Sequence, residues 1–214
     1  MLLRRLLSKF HPNKAEKEGM ESLEISRTHR MIETILMSGS EIKLEIGSGP
    51  VKGRKGWTTL DLTDQADLCW NLLDPLPFPD GSVSAIYSSH LLEHFYYRKL
   101  MELLGECFRV LKSGGSFSAC VPDASIYLKA YFDIESFNSS FLTYKPAVIS
   151  EERMDIVNYI AYMDGEHRYM FDQSNLLRVL AATGFVNVRS RHFDPELDML
   201  ERKYESIYAV GTKP

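Results

Sequence analysis

The sequence predicts an α/β domain organised around a mostly parallel sheet, and three observations predict it. Leu44-Glu45-Ile46 reads as a buried strand ending near an acid, and Gly47-Ser48-Gly49-Pro50 follows at once as a tight turn. Trp57 to Leu62 is a second strand-like run that also passes through an acid, Asp61. From there to the C-terminus, strand patterns and helix patterns alternate. Two successive strands of this kind suit parallel neighbours whose carboxyl ends share a crevice.

The elements are expected in the following order. Residues 1–40 form an N-terminal helical extension and residues 41–214 the domain proper. Met1 to Phe10 is short, basic and leucine-rich, with no apolar stretch long enough for a signal-peptide core or a membrane span. A basic amphipathic helix there suits peripheral contact with an anionic membrane. It equally suits a cover over the sheet or the crevice, which is the preferred reading. Ser22 to Met37 is expected to be a further helix flanking the crevice. The link from Ser48 to Gly56 carries Pro50, Gly53 and Gly56 and leaves little room for a crossover helix, so a hairpin between the first two runs stays open.

The third strand is expected at Ala66 to Trp70, and the turn-rich Pro75 to Gly81 leads into a fourth at Val83 to Tyr87. Apolar residues from Leu92 to Leu111 recur at helical spacing, and Gly114-Gly115 is read as the stop of that helix. Ser116 to Val121 is the fifth strand. Ser150 to Met163 reads as a helix with Ser150 as its N-cap. A helix at Ser174 to Thr183 is closed by Gly184 as a left-handed cap. Phe185 to Val188 and Ile207 to Gly211 complete the sheet.

The glycine turn lacks the usual apparatus for phosphate. A dinucleotide fingerprint wants a third glycine where Lys52 stands, and no Gly-Lys-Ser/Thr follows, which excludes a P-loop. A nucleoside ligand without phosphate fits better.

On Glu45-Ile46-Gly47-Ser48-Gly49, on Asp61 and on Leu91-Leu92-Glu93-His94 after the fourth strand, the chain resembles the class I S-adenosylmethionine (SAM)-dependent methyltransferases, in particular the type 11 group. The resemblance runs from about Glu41 to the C-terminus. It implies a Rossmann-like seven-stranded sheet, mostly parallel with the last strand antiparallel, and helices on both faces. It also implies that Glu45, Gly47, Ser48, Gly49 and Pro50 wrap the methionine part of SAM. Asp61, with Leu62 beside it, would hold both ribose hydroxyls, work that suits a carboxylate able to accept two charge-assisted bonds from a vicinal diol. Asn71 takes the position of the acid that accepts from the adenine amino group, and Leu72 that of the apolar neighbour of the base. Ser89, His90 and His94 correspond to residues near the methionine and adenine portions. The last glycine of the family's longer Gly-x-Gly-x-Gly form is Val51 here.

His90-Leu91-Leu92-Glu93-His94 also matches H-x-x-E-H, the inverted zinc-peptidase signature, with Glu166 as a remote third ligand. That reading leaves the glycine turn and Asp61 without a purpose, and the motif follows a strand directly. No metal is therefore expected.

Between residues 123 and 171 the regular order breaks into an aromatic-rich insertion at the substrate side. Tyr127 and Tyr131 are candidate pocket walls. Asp164-Gly165-Glu166-His167-Arg168 is its polar cluster, and methyltransferases of similar pattern, several associated with sugar and polysaccharide modification, carry a comparable pair. His167 is the candidate general base, because an imidazole titrates near neutrality. Arg168 is the candidate contact for an acidic substrate group. Both residues could instead organise the loop.

The net charge of −4 offers no basic field for nucleic acid. Three cysteines without zinc-like spacing suit reduced packing residues of a cytoplasmic protein. The expected activity is methyl transfer from SAM to a small molecule or a saccharide. The alternatives are a non-catalytic SAM- or nucleoside-binding protein and the zinc hydrolase. The sequence fixes neither the acceptor atom nor the oligomeric state.

Overall fold

A computed structural model describes residues 27–50 and 53–214. The predicted helix at the membrane-suited N-terminus lies outside the described residues, and so does the first part of the helix expected from Ser22. Its described part, residues 27–37, is α1.

Seven strands form one sheet: β1 (Ile42–Ile46), β2 (Thr58–Asp61), β3 (Leu68–Cys69), β4 (Val83–Ser89), β5 (Leu111–Pro122), β6 (Val186–Ser190) and β7 (Ser206–Thr212). Their spatial order is β3-β2-β1-β4-β5-β7-β6. Only β7 is antiparallel, wedged between β5 and β6. β1 and β2 pair in parallel with Leu44 opposite Thr58, which removes the hairpin alternative. β3 is shorter than the expected third strand. The order reverses beside β1, so the carboxyl ends of β1 and β4 diverge into a crevice at the place where such sheets bind ligands.

The sheet's sides differ because side chains alternate along each strand. Leu44, Ile46, Leu60, Ile86, Phe117 and Ala209 point to one face and are fully buried. They form one core with Leu100, Leu104 and Cys107 of α2 (Tyr97–Val110) and with the apolar stripe of a later helix, Gln173–Thr183. Each such aliphatic side chain contributes about 1.5–3 kcal/mol by leaving water. On the opposite face Tyr87, Cys120 and Tyr208 pack under Phe193 and Leu197 of the β6–β7 connection. There the Tyr87 hydroxyl donates to Asp198 at 2.9 Å, and Arg191 grips the same carboxylate at 2.6 Å.

The helix before β5 ends earlier than the glycines suggested. Leu92–His94 is a single 3₁₀ turn, α2 begins only at Tyr97, and Leu111 is already extended and paired with Val83. The register between β4 and β5 then jumps, with Ala85 opposite Ser116, so residues 112–115 bulge out of the ladder. Gly114 takes φ +77° there. Gly114 and Gly115 thus serve a bulge inside β5, because burying Leu111 in the sheet outcompetes a longer helix.

α3 (Ala124–Phe132) opens on Asp123, whose carboxylate accepts from Ser125 N. α4 (Arg153–Tyr162) starts three residues later than expected: Ser150 instead donates to Asp155 and accepts from Glu152 N ahead of it. α5 (Gln173–Thr183) has Asp172 as N-cap and Gly184, φ +110°, as its left-handed cap. The insertion from Asp123 to Phe171 builds its own small core from Tyr127, Leu142, Ile156, Tyr159 and Ile160. Its two ends meet, since Ala124 N donates to the Phe171 carbonyl at 2.9 Å. The insertion is therefore a lobe anchored where β5 ends, beside the crevice.

Candidate active site

The crevice is built on two glycines in the left-handed region. Gly47 (φ +69°) and Gly49 (φ +62°) turn the chain sharply after β1, a conformation that costs side-chain-bearing residues energy. Gly47 is also crowded: a Cβ there would lie 2.4 Å from Leu91 Cδ1, so the Leu91 side chain would have to move. At Gly49 a Cβ would meet no described atom within 4 Å, so this side of the turn faces open space that a ligand can enter.

Asp61, at the end of β2, is tied directly to this turn. Its Oδ2 accepts from Gly49 N at 2.9 Å and its Oδ1 from Thr63 N at 3.0 Å. A carboxylate offers about four lone-pair sites, so these bonds fix its orientation and leave room for the two hydroxyls of a ribose. Glu45 carries its charge toward the same end of β1, with Oε2 2.6 Å from Arg54 Nη1. Arg54 also lies over the Tyr87 ring at 4.9 Å. Ser48 donates to the Gly49 carbonyl at 3.4 Å, and Pro50 is exposed beside it. The open glycine turn, the oriented Asp61 carboxylate and the neighbouring Glu45 together fit an adenosyl sulfonium ligand and would repel a pyrophosphate.

The remaining predicted cofactor residues divide. Leu62 is half-exposed past the end of β2, where Cys69 Sγ meets its carbonyl. Asn71 follows β3, but its Oδ1 already accepts from Leu73 N at 3.1 Å. Leu72 is buried in the main core, and its exposed neighbour is Leu73. Ser89 Oγ accepts from Arg202 at 3.0 Å. His90 has φ +50° and turns its Nε2 to Ser206 Oγ at 2.8 Å, away from the helical face that an H-x-x-E-H pair requires. Burial, with Arg202 nearby, holds its pKa well below the ordinary histidine value.

A second polar group assembles next to the glycine turn. Leu91 touches Gly47, and two residues on Glu93 is 2% exposed, with neither carboxylate oxygen hydrogen-bonded among the described residues. Burial raises its pKa to about 7. His94 Nε2 lies 3.9 Å from Glu93 Oε1. His167 arrives from the insertion because Arg168 N and Tyr169 N donate to the Glu93 carbonyl. The His94 and His167 rings meet edge to face with centroids 5.3 Å apart. His167 is buried, its Nδ1 sits 2.8 Å from the Ile160 carbonyl, and burial lowers its pKa to about 4. It is neutral at pH 7, with the Nε2 lone pair free to accept a proton.

The predicted substrate residues are placed elsewhere. Tyr127 is fully buried, stacks on Tyr159 and donates to Glu205 at 2.6 Å, so it holds the lobe together and lines no open pocket. Tyr131 is partly exposed against Phe132. Arg168 bonds the carbonyls of Gly165 and His167 and lies over the Tyr96 ring, which organises its loop. Arg54, Arg202 and the Glu93 side chain were not among the expected site residues. Glu93 had a local signal in the H-x-x-E-H motif, and Arg54 had one as the arginine in the glycine-rich link.

A family model described as a methyltransferase domain matches residues 44–119. No curated protein sequence matches the chain significantly. Among solved structures, a SAM-dependent methyltransferase from Archaeoglobus fulgidus is 14% identical, with a TM-score of 0.51 over 99% of each chain. A possible exported protein from Bordetella parapertussis is 10% identical, with a TM-score of 0.51 over 88% of this chain and 67% of its own. A SAM-dependent methyltransferase from Thermotoga maritima, named a possible histamine N-methyltransferase, is 15% identical, with a TM-score of 0.49 over 98% of this chain and 99% of its own. At such identities the two matches with a TM-score of 0.51 speak to the fold alone. The domain match falls on the strands and turn that build the crevice, and over its whole length the chain shares the fold of the Archaeoglobus SAM-dependent methyltransferase.

Proposed function

We propose that this enzyme methylates a small-molecule or saccharide acceptor held between the glycine turn and the 123–171 lobe. The observation that carries the reading is the position of the Glu93–His94–His167 group, which borders the cofactor turn through Leu91 and the lobe through His167. SAM, when bound, supplies an electrophilic methyl group on its sulfonium. Gly47 and Gly49 would admit its methionine part, Asp61 would hold the ribose hydroxyls, and Asn71 would meet the adenine.

The chain's own contribution to the chemistry is alignment, exclusion of water and removal of a proton. A hydroxyl acceptor has to lose its proton, and His167, neutral at pH 7, offers an Nε2 lone pair to take it. The half-exposed His94 gives that group its opening toward the acceptor. Buried Tyr127 and the satellite core hold the lobe rigid behind it.

No helix among the described residues is long and apolar enough to cross a membrane. Residence in the cytoplasm is part of the proposal, supported by the reduced-cysteine reading of the sequence. Methyl-labelled SAM incubated with the full chain and fractionated metabolite and glycan extracts tests the function. Label is expected in a low-molecular-mass or saccharide fraction and to be lost with His167→Ala. Label only in protein or nucleic acid would contradict the acceptor class.

A further inference from the structure

We propose that Glu93, His94 and His167 form a binding site for one divalent transition-metal ion, with zinc the best match to its donors. One donor atom from each residue lies within 4.8 Å of the other two. Bonds of about 2.1 Å from a tetrahedral ion place ligand atoms roughly 3.4 Å apart, so the three must draw in by at most about 1.4 Å. Side-chain torsions can supply that.

The hydrogen bonds around the two imidazoles prepare them as ligands. His94 Nδ1 faces the Glu166 carbonyl at 3.0 Å, and His167 Nδ1 faces the Ile160 carbonyl at 2.8 Å. A carbonyl can only accept, so both Nδ1 atoms carry a proton, and in the neutral form of each ring the lone pair is on Nε2. Fixing the ring and tautomer through the far nitrogen is how metal-binding histidines are held.

Glu93 supplies the independent observation. It is 2% exposed, and neither of its oxygens accepts a hydrogen bond among the described residues. A buried carboxylate without partners is costly and calls for a cation or an unseen donor. An ion bridging Glu93 to the two Nε2 atoms resolves it. Two nitrogens and one carboxylate favour zinc or a neighbouring first-row ion over magnesium or calcium. His90 takes no part, since its Nε2 is committed to Ser206. The site is thus distinct from the helical H-x-x-E-H pair that the sequence suggested.

The ion's role, unlike its binding, rests on the methyl-transfer reading. Three protein ligands leave coordination open on the half-exposed His94 side, where an acceptor hydroxyl would bind and release its proton to water. His167 then serves the acceptor through the ion.

The test uses the full chain stripped with EDTA, dialysed and titrated with Co²⁺, followed by Zn²⁺ competition. We expect visible d–d absorption saturating at one Co²⁺ per chain and bleached by Zn²⁺. His94→Ala and His167→Ala should each weaken binding by at least about 100-fold, whereas His90→Ala should leave the stoichiometry unchanged. Because His167→Ala could unfold the lobe, circular dichroism accompanies it, and His94→Gln at the exposed edge gives a second reading. Absence of a Co²⁺ spectrum in the wild type overturns the site, as does binding that survives both His94 substitutions. S-adenosylhomocysteine calorimetry on the same samples separates the claims: cofactor binding without metal sinks only this inference, and metal without cofactor sinks only the methyl-transfer reading.

Discussion

Gly49 N–H donates to Asp61 Oδ2 at 2.9 Å, joining the turn after β1 to the end of β2. This bond crosses the mouth of the crevice, so the residue proposed to hold the ribose is also the one that sets the shape of the turn. The two roles share a single carboxylate, and they separate on substitution.

Asp61→Ala removes both roles and should weaken SAM binding by about 3 kcal/mol, roughly 100-fold. Asp61→Asn keeps an acceptor oxygen and should lose less. Calorimetry with SAM on the three proteins checks the ranking, and equal affinities would remove Asp61 from the ribose.

The two glycines should fail differently. Gly47→Ala meets Leu91 Cδ1 at 2.4 Å as well as an unfavourable φ, so it should lower stability by about 1–3 kcal/mol. Gly49→Ala meets no described atom and should cost only about 1 kcal/mol of stability while still weakening the cofactor. Urea denaturation alongside SAM calorimetry distinguishes a packing glycine from a ligand-facing one.

Tyr127→Phe should leave SAM binding unchanged, because the hydroxyl serves Glu205, tying the lobe to the start of β7. Losing that bond should lower unfolding free energy by about 1–2 kcal/mol. A change in acceptor KM at unchanged stability would return Tyr127 to the substrate pocket.

Stability should also depend on pH through Glu106. Its hydrogen bond from Arg109 holds the carboxyl pKa below the ordinary value, with the Leu76 amide assisting. A depressed folded pKa means that the stabilisation is present above the unfolded value of about 4.3 and is lost as pH falls through the folded one. Glu106→Gln should therefore cost about 1–2 kcal/mol at pH 7 and progressively less as pH falls through the folded pKa, as read from melting curves.

Local pattern made the frame of the site legible in the sequence. The glycine turn, Asp61 and the strands that carry them are contiguous signals, and the parallel order placed them at one sheet end. Gly114-Gly115 misled because glycine marks a β-bulge as readily as a helix end, and only the pairing of Leu111 with Val83 decides between them. Tyr127 misled because an aromatic in an insertion reads the same whether it packs or lines a pocket. The Glu93–His94–His167 group was out of reach, because backbone bonds from Arg168 and Tyr169 to the Glu93 carbonyl bring together residues far apart in the chain. Arg202 reaches Ser89 in the same non-local way.

The central claim is tested most directly by a crystal structure of the full chain grown with S-adenosylhomocysteine. The account predicts both ribose hydroxyls on the Asp61 carboxylate and the amino-acid end against Gly47 and Gly49. Nucleoside density at any other place on the sheet would contradict it.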